Sequence, residues 1–140
     1  MNFSIAVPSG SKIHIGQPAK PDRDLASAVS RLVVSFPEVV EAHLPQCFAP
    51  QIMSAPAQVL MLVFEDPELC SGCLNSVKER LAMLLAINTS LDVWPIRTTD
   101  PLLETIRRVG CKIVGRTPSG EAFTENPWSL WKRIRRRMSN

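Results

Sequence analysis

No uninterrupted apolar run in this chain is longer than the seven residues Leu81 to Ile87, and the next is the six of Val59 to Phe64. A helix that crosses a bilayer takes about 20, so no segment reads as a membrane span. Met1 to Pro8 has neither the cationic start nor the long apolar stretch of a secretory signal, and the expected compartment is the cytoplasm. Gly-x-Ser-x-Gly, a glycine-rich phosphate loop and a helical His-Glu-x-x-His are all missing. Serine hydrolysis, nucleotide hydrolysis and zinc proteolysis therefore have no sequence support. Six glycines in no regular period exclude a collagen-like chain. Four cysteines in a cytosolic setting read as reduced thiols rather than a disulfide framework.

What is present is the balance of an ordinary globular domain: 140 residues, 45% apolar and 21% charged, room for one core. The net charge of +3 is unevenly spread. Lys132, Arg133, Arg135, Arg136 and Arg137 follow residue 127 with no acid beside them; the 11 other basic residues face 13 acidic ones. The body is thus near neutral and the tail strongly cationic, which argues against a nucleic-acid-binding face on the body.

Alternation in Lys12-Ile13-His14-Ile15-Gly16 predicts a short strand. Asp22 is an N-cap for a helix carrying Leu25, Val29, Leu32, Val33 and Phe36 on one stripe, stopped by Pro37. Val39 to Phe48 reads as one extended segment, and Pro45, with no amide hydrogen, assigns it to a sheet edge. Gln58 to Glu65, apolar on both faces, is the expected central strand. A second helix follows through Leu74, Val77, Leu81, Leu84 and Leu85 with Ser71 as N-cap, and Leu91 to Ile96 is extended, ending at Trp94-Pro95. Asp100-Pro101 opens a short helix that Gly110 closes before a last strand, Cys111 to Val114. This order predicts an α+β fold: a ferredoxin-like split βαβ sandwich, a mainly antiparallel sheet with helices on one face. The domain is expected over residues 1–116, a linker over 117–125 and a basic amphipathic helix over 126–140.

The run Gly10 to Pro18, then Pro21 and a helix, Val39-Val40-Glu41-Ala42-His43-Leu44, the strand Gln58 to Phe64, and Leu102 to Arg107 before Gly110 resemble the C-terminal domain of the SseB (enhanced serine sensitivity) family. The likeness covers roughly residues 9 to 116. Where that family shows Ala-Tyr-Leu, this chain has Ala42-His43-Leu44, and it contains no tyrosine at all. The resemblance implies a small, non-catalytic bacterial domain for binding or regulation, in some cases near secretion systems, with no catalytic residues and no cofactor to carry over.

Among residues with chemistry of their own, Cys70-Ser71-Gly72-Cys73 follows the central strand and begins the second helix. There the helix dipole favours a thiolate and the second cysteine, one turn on, resolves a mixed disulfide. Against a thioredoxin-like oxidoreductase, no Trp precedes Cys70 and no Pro separates the pair; the simpler reading packs Cys73 in the core. His43 and Cys47 share one strand face and are the only partners for a zinc site with Cys70 and Cys73. At ~3.3 Å per residue they lie ~13 Å apart, too far for one ion, so no metal is expected. His14 and His43 sit beside apolar neighbours, where a hydrogen-bonded or half-exposed ring is the expectation, and Glu65, Asp66 and Glu68 read as acids at the second helix start.

In the tail, Asn126 is an N-cap and Pro127 a first helical residue; Trp128, Leu130, Trp131, Ile134 and Met138 then gather on one arc, leaving the rest to the five cations. Trp128, Trp131, Lys132, Arg133, Arg135, Arg136 and Arg137 are the expected contacts for a protein partner or an anionic membrane surface. The alternative is that the tryptophans dock on the body while the cations face water. The oligomeric state is left open.

Overall fold

A computed structural model describes residues 2–6, 12–66, 68, 70–85 and 91–128. It is an α+β arrangement: one mainly antiparallel sheet of eight strands, β1 (Asn2–Ala6), β2 (Lys12–Gly16), β3 (Val39–His43), β4 (Gln46–Phe48), β5 (Ala57–Phe64), β6 (Asp92–Arg97), β7 (Lys112–Arg116) and β8 (Ala122–Thr124), with helices α1 (Arg23–Val33), α2 (Cys70–Leu84) and α3 (Leu102–Val109). Among the described residues no helix is long and apolar enough to cross a membrane.

The strand apolar on both faces is the centre. Val59 to Phe64 are at most 1% exposed, and β5 is flanked by parallel β6 on one edge and by antiparallel β3 and β4 on the other. Beyond that pair the sheet forks. β3 passes its outer edge to β7 and then β8, while β4 passes its own to β2 and then β1.

The extended segment predicted over Val39 to Phe48 is real but broken at Leu44-Pro45, and it does not lie at an edge: β3 and β4 are each paired on both sides. Pro45 sits in the gap, where no ladder needs its missing amide hydrogen. The gap is closed by other groups, since Leu44 N donates to Cys111 O (2.9 Å), Gln58 Nε2 to Leu44 O (3.0 Å) and Val59 N to Pro45 O (2.9 Å). A proline can thus stand in mid-sheet once its neighbours' backbone groups find partners.

Asp22 caps α1 as expected, its Oδ1 accepting from Leu25 N (3.0 Å), and Ala26, Val29, Ser30 and Val33 are buried. Asp100 Oδ1 accepts from Leu102 N (2.9 Å) at the start of α3, and Gly110 ends that helix at φ 81°, the left-handed conformation glycine adopts without penalty. In α2, Cys73, Val77 and Leu81 are buried at a spacing of four, but Leu84, expected on the core stripe, is 46% exposed. Ser71 is exposed inside the helix rather than capping it, because the helix already begins at Cys70. Trp94-Pro95 lies within β6, a strand paired only to β5 among the described residues, so its proline sits where an open edge tolerates one.

The 117–125 stretch is not a bare linker. Thr117 N donates to Glu121 O and Gly120 N to Thr117 O (both 2.8 Å), folding a turn that returns β8 onto β7, with Gly120 at φ 92°. The β5–α2–β6 connection steps one strand outward, whereas β6–α3–β7 steps back across β5 and β3. For both crossovers to be right-handed, α2 and α3 fall on opposite faces. The helices are therefore divided between the faces rather than gathered on one: α1 packs on α2, and α3 lies against β1 and β2.

Candidate functional site

Strand alternation places Glu41 and His43, two apart on β3, on one face, the face that α3 covers. Both are withdrawn from water: His43 is fully buried and Glu41 is 9% exposed. An isolated carboxylate at such depth would be costly, and here it is saturated. Oε1 of Glu41 accepts from His43 Nε2 (3.1 Å) and from Arg107 Nε (3.1 Å), and Oε2 pairs with Arg107 Nη2. Burial by itself would raise the Glu41 carboxyl. The hydrogen bonds and charges of His43 and Arg107 outweigh it and hold the group at about 2. The same carboxylate raises Arg107. His43 Nδ1 is buried with no hydrogen-bond partner among the described residues. A carboxylate whose two oxygens are both occupied is a weak base; its effect is to fix the guanidinium that reaches it.

That guanidinium opens onto a groove. Arg107, half exposed, lines a cavity of about 550 Å³ with Glu65, Thr98, Lys112, Gly115 and Arg116. Arg116 is spent on backbone carbonyls, those of Val39 (2.7 Å), Phe36 (2.9 Å) and Gly120 (3.2 Å). The Lys112 ammonium lies 5.5 Å from the centre of the Phe123 ring and 3.8 Å from Glu125. The ring itself covers Gly115, where an added Cβ would come within 2.5 Å of it. On the other arm of the sheet, His14 stacks on Phe48 with centroids 6.4 Å apart beside a second cavity of about 440 Å³.

Of the residues singled out in the sequence, Cys70 opens α2 directly after the β5 loop, and Cys73, one turn later, is 7% exposed. Cys47 and Cys111 are fully buried, and burial pushes the Cys47 thiol up to about 12. His43 and Cys47 fall on either side of the Leu44-Pro45 break, and among the described residues no three His, Cys, Asp or Glu side chains converge as metal ligands would. Asp66 Oδ1 accepts from Glu68 N (2.9 Å) ahead of α2, but no acid lies in the first turn of the helix itself.

Trp128 requires a correction. Expected to face a partner or a lipid surface, it is 6% exposed, and its indole Nε1 donates to Gln17 Oε1 (2.7 Å). Gln17 also donates from Nε2 to Val109 O (2.6 Å) and Gly110 O (3.3 Å). Asn126 completes the attachment, donating to Arg23 O and Ser27 Oγ (both 3.1 Å) and accepting from Trp128 N (3.2 Å). The ring docks because its apolar body fills a site on the core while one side chain satisfies its single donor. Trp131, Lys132, Arg133, Arg135, Arg136 and Arg137 lie outside the described residues.

Sequence reasoning missed Arg107 and Gln17. The available signal for the first was Glu41 with His43 in an otherwise apolar strand, which demands a cation from somewhere; its source could only be known once α3 was placed. No known protein family matches the chain, and neither curated proteins nor solved structures show a relative.

Proposed function

We propose that this chain is a non-catalytic binding module of the SseB C-terminal type that engages a protein partner through its cationic C-terminal segment. The segments that carry the family resemblance are those that form β2, α1, β3, β5 and α3. The observation that carries the binding role is the seating of Trp128. It fixes the chain on the body at Trp128, and the five cations Lys132, Arg133, Arg135, Arg136 and Arg137 follow that point closely in the sequence. The near-neutral body argues against nucleic acid, and a bacterial secretion or stress pathway is the setting the resemblance implies. The test is affinity capture from the native cell with the full chain, with a chain ending at Trp128, and with Arg135, Arg136 and Arg137 replaced by glutamine. The expected result is a partner held at low salt, weakened severalfold or more by the glutamines and lost on truncation. Equal capture by all three chains refutes the role of the segment, and retention on anionic vesicles alone assigns it to a membrane surface.

A second reading, a thioredoxin-like thiol oxidoreductase, is favoured by one observation: Cys70 begins α2 after the central strand of a parallel β5–α2–β6 unit, with Cys73 buried a turn later. Dithiol exchange that disappears in both Cys70→Ser and Cys73→Ser would establish it.

A further inference from the structure

We propose that the groove between α3 and the β7–β8 hairpin binds a small oxyanion ligand, one whose carboxylate or phosphate group presents two oxygens to Arg107. A guanidinium offers two edges to bidentate acceptors. In Arg107 the Nε–Nη2 edge is taken by Glu41, which leaves the Nη1–Nη2 end as a second, geometrically fixed fork. Because Glu41 stays ionised well below neutral pH, the fork is held in place before any ligand arrives. Preorganisation of this kind removes part of the ordering cost that a free arginine would bring to binding.

The remainder of the groove suits the same class of ligand. Lys112 adds an ammonium beside the Phe123 ring, and register sets it next to His43 on the neighbouring strand. Arg116 contributes charge, and its guanidinium is held in place by three backbone carbonyls that take one N–H from each of its nitrogens. Of the two acids on the lining, Glu41 has both oxygens occupied and Glu65 is exposed. The Arg107 end and the Thr98 hydroxyl, with the Lys112 ammonium that Glu125 shares from 3.8 Å away, therefore call for an acceptor-rich, negatively charged partner. About 550 Å³ falls within the roughly 300–1,000 Å³ of small-molecule sites, so the group recognised is one end of a larger molecule. This inference concerns the body and is independent of the cationic segment.

The test is titration of the full-length, isotope-labelled chain with inorganic phosphate and, separately, with acetate and succinate, followed by nuclear magnetic resonance. The expected result is a saturable set of shifts at Arg107, Lys112 and Gly115, and the anion series tells phosphate from carboxylate. Lys112→Gln, at a half-exposed site that leaves the Glu41 pair intact, should weaken binding about threefold to tenfold. Arg107→Lys, which keeps charge but loses the fork, should weaken it further. Replacing Arg135, Arg136 and Arg137 by glutamine should leave the groove shifts unchanged. Shifts confined to the C-terminal cations, shifts that never saturate, or full affinity in Lys112→Gln would each overturn the proposal.

Discussion

Replacing Glu41 by glutamine keeps the shape of the side chain while removing the charge that Arg107 and His43 face. In the folded chain the carboxyl is held at about 2 against an ordinary 4.5. At 1.36 kcal/mol for each factor of ten in proton affinity, that difference corresponds to about 3 kcal/mol of stability at neutral pH. Breaking a buried ion pair costs about 3–5 kcal/mol, but Arg107 is half exposed and recovers hydration, and glutamine can still accept one hydrogen bond. About 2–3 kcal/mol is therefore expected near pH 7. The pH dependence is the sharper observation. The unfolded chain takes up this proton near 4.5 and the folded chain only near 2. The contribution is complete above the first value and disappears as pH falls towards the second. Urea unfolding followed by circular dichroism, on wild type and Glu41→Gln at about pH 7 and about pH 3, should show a gap that narrows strongly on acidification. A variant as stable as wild type near neutrality, or a gap that does not change with pH, would refute the assignment of Glu41 as an ionised, structurally committed carboxylate.

Leu62→Ala, in the fully buried run of β5, should cost about 2–5 kcal/mol in the same assay, and less than 1 would mean the site is not core. Gln17→Ala removes the acceptor of the Trp128 indole and two bonds to the end of α3. It should cost about 1–3 kcal/mol and shift tryptophan emission to longer wavelength, and an unchanged spectrum would count against the docked ring. Gly115→Ala should cost about 1–3 kcal/mol by forcing the Phe123 ring off the strand, visible as changed Phe123 and Lys112 resonances. Cys47, Cys73 and Cys111 should react with a thiol reagent only on unfolding; native-state labelling of Cys47 at the unfolded rate would contradict its burial and raised thiol.

Much of the frame was legible because local physics sets it. The run Val59 to Phe64 is apolar on both faces and so had to be central, and Asp22, Asp100 and Gly110 mark helix ends through bonds and backbone angles that involve only near neighbours. Pro45 misled because its missing donor is a local fact, while the stitching that makes it tolerable comes from Gln58 and Cys111, far along the chain. The polar stretch 117–125 hid β8 for the same reason: a three-residue strand exposed along its length carries no apolar pattern and exists because β7 offers an edge. Leu84 fell off the core because the face of a helix end is decided by what lies opposite it.

By itself the sequence determined the class of fold, the central strand, the start of the first helix at Asp22 and the end of the third at Gly110, and the separation of a neutral body from a cationic end, all of which follow from pattern, capping and charge counted along the chain. Only the tertiary structure decided that Glu41, His43 and Arg107 form one cluster, that Trp128 is anchored by Gln17, and that Arg107, Lys112 and Arg116 line a common groove. The bonds that bring these groups together reach far along the chain, the Glu41–Arg107 bond spanning 66 positions and the Gln17–Trp128 bond 111. A contact across such a distance leaves no local trace, since it depends on the order of strands and on which face each crossover takes.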